Sequence, residues 1–75
     1  MKRYKNLSGD SGVTGYDMSE DAITVYFLDG SAYLYDAVKP GLRTVQQMHK
    51  LAEHGRGLNS FINLKVKKDY ARKLR

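Results

Sequence analysis

Residues 23–35 (Ile-Thr-Val-Tyr-Phe-Leu-Asp-Gly-Ser-Ala-Tyr-Leu-Tyr) hold two runs rich in β-branched and aromatic side chains, one on each side of Asp29-Gly30. That dipeptide readily takes the positive φ of a tight turn, so the stretch predicts a β-hairpin. Two registers fit it. With a two-residue loop at Asp29-Gly30, Val25 stands opposite Leu34, and Ile23, Val25, Phe27, Ala32 and Leu34 share a face. With a three-residue loop (Leu28, Asp29, Gly30), Val25 stands opposite Tyr33, and Tyr33 and Tyr35 turn inward beside Val25 and Ile23. One residue of slip exchanges the faces, and composition alone does not choose. Upstream, residues 12–17 predict a short glycine-rich first strand, with a turn over residues 18–22.

After Tyr35 the period lengthens from two to 3.6 residues. Leu42, Val45, Met48 and Leu51/Ala52 form an amphipathic stripe. Pro40 suits a first helical position, and Gly55 supplies a stop. The first helix is therefore predicted over residues 40–54. A second opens near Gly57, with Leu58, Phe61, Ile62 and Lys65/Val66 along one side. Beyond Val66 the stripe fails, because at about 100° per residue Tyr70 and Leu74 point away from Leu58. Either the helix bends away from the core, or it ends around residues 63–65 and an extended basic tail follows.

The expected fold is thus α+β: a three-stranded antiparallel β-meander followed by two helices packed on one face. Residues 1–11 crowd Asn6, Ser8, Gly9, Asp10 and Ser11 and suggest a loose N-terminal arm. Residues 12–66 form the domain, and residues 67–75 a basic tail or helix extension. A chain of 75 residues makes one domain with a marginal core, burying only about 60–65% of its unfolded surface. There is no cysteine, so neither a disulfide nor a thiolate–zinc site reinforces it. Met1-Lys-Arg-Tyr-Lys is followed by no apolar run, and no stretch reaches the ~18 apolar residues of a spanning helix. The expectation is a soluble cytoplasmic protein with no membrane partner.

Charge sharpens the picture. Residues 1–36 carry three Lys or Arg against six acidic side chains, a net of −3, whereas residues 37–75 carry ten against Glu53 and Asp69, a net of +8. Such asymmetry points to a polyanionic partner or to a mixed solvated surface. Lys65, Lys67, Lys68, Arg72, Lys73 and Arg75 crowd the C-terminal end, with Tyr70 interleaved. These residues and Arg56 are candidate phosphate contacts. Tyr33 and Tyr35 are candidates for base stacking, or else half-buried tyrosines with hydroxyls at the rim. Asn59 is a candidate reader of a base edge, or else a helix cap or a bond to the hairpin backbone.

Chemistry of other kinds finds little support. The sequence has no Gly-x-Ser-x-Gly, no phosphate loop, no Cys/His pair and no metal-ligand cluster. No carboxylate pair is implied by helical spacing. His49 and His54 read as surface residues, and a small core leaves little room for a pocket of ~300 Å³. No enzyme, cofactor or metal is expected.

Gly15-Tyr16-Asp17, then Ile23-x-Val25-x-Phe27, Asp29-Gly30, Tyr33-x-Tyr35, a helix, and Gly55-Arg56-Gly57-Leu58-Asn59 with Ile62 follow one another in that order. In order and spacing this resembles the KTSC family over about residues 8–70. That small domain occurs alone in bacteria and phages and at the C-terminus of some lysyl-tRNA synthetases. The resemblance implies a meander with following helices and a central Tyr-x-Tyr, and RNA binding has been suggested for the family from the synthetase fusion. A polar residue often separates the family's tyrosines, which favours the inward register, but here Leu34 stands there. Leu58 likewise replaces an aromatic in the family's Gly-x-aromatic-Asn pattern.

Two functions remain open. One is a small accessory domain that binds nucleic acid, RNA first, through its basic C-terminal half. The other is a protein-interaction module that docks through the sheet edge or the tyrosine-bearing face.

Overall fold

The computed structural model describes residues 1–66 and 68–75. The hairpin forms from β3 (Ala22–Phe27) and β4 (Ala32–Asp36), with Val25 opposite Tyr33 and Tyr26 opposite Ala32. This is the three-residue-loop register. The Phe27 N–H donates to the Ser31 carbonyl at 2.9 Å and the Gly30 N–H donates to the Phe27 carbonyl at 3.0 Å, with Gly30 at φ +91°. A left-handed glycine closing a type I turn gives the bulged hairpin that adds one residue to the loop. Asp29 secures it by accepting from the Ser31 N–H at 2.9 Å and the Ser31 hydroxyl at 2.6 Å.

The register sends Ile23, Val25 and Tyr35 to the covered face, where all three are buried. Tyrosine buries more apolar surface than leucine, which favours this solution over the one that buries Leu34. Leu34 is not wasted, because a strand beside it leaves it half-buried.

The meander is not three-stranded. β2 (Val13–Ser19) pairs with β3 as expected, with a register shift between Val13 and Gly15. Two further strands flank the meander: β1 (Lys2–Arg3) on β2 and β5 (Arg72–Lys73) on β4. The sheet is five-stranded and antiparallel, in the order β1-β2-β3-β4-β5. Its edges offered unpaired N–H and C=O groups, and the two polar termini satisfied them. Neither terminal segment is therefore a loose arm or a free tail. Tyr4 anchors the first, buried to 3% exposure, with its hydroxyl accepting the Leu58 N–H at 3.2 Å.

Helix α1 (Leu42–His54) lies on the sheet and buries Val45, Met48 and Ala52. It starts two residues later than expected. Gly41 is the N-cap, so Pro40 stands in the preceding turn, where Asp36 accepts from the Val38 and Lys39 N–H groups at 3.0 and 2.9 Å. Leu42 consequently sits outside the core, 43% exposed. His49 is not simply a surface residue: half-buried, its Nε2–H donates to the Ala22 carbonyl at 2.8 Å and ties α1 to β3.

The second helix is short. α2 (Leu58–Phe61) passes directly into a π turn over Ile62–Val66. Leu58, Ile62 and Val66 are all buried. Residues four apart drift by ~40° per step on an α-helix, and the wider π turn cancels that drift. Lys68 stands in a turn and the chain reaches β5 at Arg72, so the helix does not run on. No described helix is long and apolar enough to cross a membrane.

Candidate nucleic-acid interface

Where the C-terminal segment returns to β4, it leaves an open cleft of about 600 Å³ against the hairpin. Phe27, Tyr33, Tyr35, Ile62, Lys68 and Tyr70 are among its lining, with Asp29 and Ser31 at the hairpin tip and Asn63 on the π turn. The pocket lies at the edge of the core, between the hairpin and the residues from Ile62 to Tyr70 that lead back to the sheet. A small core was therefore no bar to one of this size, contrary to expectation.

Three rings form its wall. Phe27 meets Tyr33 edge-on, centroids 5.8 Å apart at 77°. Tyr70 lies on Tyr33 at 4.6 Å and 48°. Lys73 places its Nζ 5.8 Å from the Tyr33 ring centre. Lys73 stands opposite Tyr33 across the β4–β5 pair and so shares its face. Lys68 supplies a second cation, while Asp29 adds one negative charge. The Ser31 hydroxyl and N–H hold the Asp29 carboxyl below the ordinary carboxylate range.

Tyr35 does not stack bases and comes nearer the other expectation, a tyrosine held by packing, although it is buried more completely than half. At 1% exposure its ring is a core element, with no face free to stack a base. Its hydroxyl has no hydrogen-bond partner among the described residues, yet no unpartnered side-chain polar atom there is sealed from solvent. The hydroxyl is thus not sealed from solvent, and Tyr35 is part of the lining of the cleft. Burial, then the nearby Tyr33 and Tyr70, push this phenol up to about 12, so it keeps its proton at neutral pH.

The other candidates scatter. Arg56 lies in the loop after α1, beside the N-terminal segment, where the Leu7 N–H donates to the Gly55 carbonyl at 2.7 Å. Asn59 neither caps α2 nor bonds the hairpin backbone. Its side chain lies against Gly12 and lines a polar hollow of about 140 Å³ with Ser8, Asp10, Ser11, Gly57 and Ser60. Lys65 is exposed on the π turn, outside the cleft lining. Arg72 stands opposite Leu34 and takes the opposite face from Lys73. Arg75 places its guanidinium 5.4 Å from the Tyr26 ring, on that other face. Lys67 lies outside the described residues.

The fold therefore gathers Tyr33, the Tyr35 hydroxyl, Lys68, Tyr70 and Lys73, and leaves Arg56, Asn59, Lys65, Arg72 and Arg75 elsewhere. Phe27, Asp29, Ser31 and Asn63 join the cleft unannounced. The three-residue loop would have put Phe27 beside Tyr33, but no local signal brings the π turn to the hairpin tip.

A search of family models, of curated proteins and of solved structures found no match to this chain.

Proposed function

We propose that this chain is a small accessory domain that binds single-stranded nucleic acid, RNA first, across the cleft between the hairpin and the returning C-terminal segment. The observation that carries the proposal is the Phe27–Tyr33–Tyr70 cluster flanked by Lys68 and Lys73. Aromatic faces hold unstacked bases at about 1–3 kcal/mol each, and neighbouring cations take the phosphates. A duplex presents no free base face to such a recess, so single strands are the fitting partner. The KTSC-like order of motifs points to the same ligand, and a cytoplasmic setting suits it. The role we assign is binding, without catalysis.

Docking of a protein strand on the sheet edge has less support. Both edges are two-residue strands built of Lys and Arg. Short, charged edges are the usual protection against strand addition.

The test is binding of the folded protein to matched single-stranded and duplex RNA and DNA over a salt series. Micromolar or weaker affinity, single strands ahead of duplex, and a log–log slope near −0.7 per neutralised phosphate are expected. No binding of any strand at ~50 mM salt overturns the reading and leaves a protein-interaction role in its place.

A further inference from the structure

We propose that the Tyr35 hydroxyl reads the polar edge of a base inserted into the cleft, so that the domain prefers some bases over others. The inference rests on the nucleic-acid reading above and assigns the specificity-determining group within it.

Two observations carry it. Tyr35 is among the largest fully buried side chains, held by the sheet in the lining of the cleft, where its position is set by core packing. Its hydroxyl is nevertheless the one part left without a partner among the described residues. The hydroxyl of Tyr4, another core tyrosine, by contrast accepts a backbone N–H. A rigidly held donor and acceptor that no described residue satisfies is costly to cover with an apolar ligand and favourable to cover with a polar one.

The wall around it is aromatic and the recess is open on one side. A planar ligand with a polar rim fits both features: its face meets the rings and its rim meets the phenol. Nucleobases have this form, and they differ from one another in the donors and acceptors along that rim. Stacking alone tolerates every base, because all of them have a π-face. A fixed hydroxyl at the end of the stack does not, since a mismatched rim leaves two buried polar groups unpaired.

The experiment uses Tyr35→Phe and short poly-adenine, poly-cytosine and poly-uracil RNA strands, with an abasic strand of equal length. Wild type is expected to spread over roughly 5- to 30-fold among the base-bearing strands, with the abasic strand weakest. Tyr35→Phe keeps the ring and should bring the base-bearing strands within about two-fold of one another, with the salt slope unchanged. Its melting temperature should not fall, because the hydroxyl has no bond to a described residue to lose; Tyr26→Phe, on the opposite face of the sheet, should keep the spread.

An unchanged spread in Tyr35→Phe overturns the inference and leaves the binding reading intact, as does equal wild-type affinity for all three base-bearing strands. Absence of wild-type binding to every strand overturns both. NMR of the wild type adds an independent readout: the Tyr35 ring resonances should move on adding the preferred strand, and their failure to move overturns the inference.

Discussion

Tyr70 lies on the ring of Tyr33 with centroids 4.6 Å apart, and this contact joins the C-terminal segment to the hairpin that the rest of the chain packs against. It makes one wall of the cleft out of two residues 37 positions apart. The ring at position 70 is half-buried because β5 pairs with β4 just beyond it, where the Ala71 N–H donates to the Leu34 carbonyl at 2.8 Å.

Register can be read from two substitutions. Tyr35→Ala removes a fully buried ring and should destabilise by about 3–5 kcal/mol. Leu34→Ser acts on the half-buried opposite face and should cost clearly less. Denaturant unfolding of both variants checks the order, and a larger loss for Leu34→Ser contradicts the observed pairing.

Two glycines with positive φ should respond unequally to alanine. At Gly30, φ +91°, an added Cβ meets nothing within 4 Å, so only the left-handed backbone cost of about 1–2 kcal/mol applies. At Gly55, φ +82°, an added Cβ would stand 2.5 Å from the Lys5 Cβ, in the segment that carries Tyr4. Gly55→Ala should therefore destabilise more than Gly30→Ala, as thermal unfolding of the pair will measure.

Alkaline stability should depend on Tyr35. Its folded pKa of about 12 exceeds the ordinary tyrosine value of ~10. Between those limits the native state holds a proton that the unfolded chain has released, so stability falls as pH rises through this window. Tyr35→Phe should flatten that fall and remove a late phenolate from the absorbance titration. Tyr26 also titrates late, because its hydroxyl donates to Asp17 Oδ2 at 2.5 Å. Tyr26→Phe is thus the control for the second late phenol.

Removing charge at the cleft should act on binding alone. Lys68→Gln with Lys73→Gln should reduce the salt slope on single strands by about 1.4, at ~0.7 for each phosphate that is no longer neutralised. Affinity should fall similarly for every sequence, since phosphate contacts position without specifying. Both side chains are exposed, so the melting temperature should move little. Arg43→Gln with Lys50→Gln, on exposed positions of α1 outside the cleft lining, should leave the slope unchanged.

Turn residues determined the hairpin at Asp29-Gly30 and the stop of α1 at Gly55, and periodicity the burial of Val45, Met48 and Ala52, because each depends on residues within a few positions of one another. Composition likewise placed the positive charge in residues 37–75. Tertiary structure decided what local pattern leaves degenerate. The hairpin face was settled by which ring the helices could cover. The termini became strands because the meander's edges needed partners, a demand invisible in Lys2-Arg3 or Arg72-Lys73 themselves. The cleft depends on the π turn, which keeps Leu58, Ile62 and Val66 buried and then releases the chain toward β4. Only that return path lays Tyr70 on Tyr33, sends Lys73 and Arg72 to opposite faces, and leaves Tyr35 in the lining of the cleft.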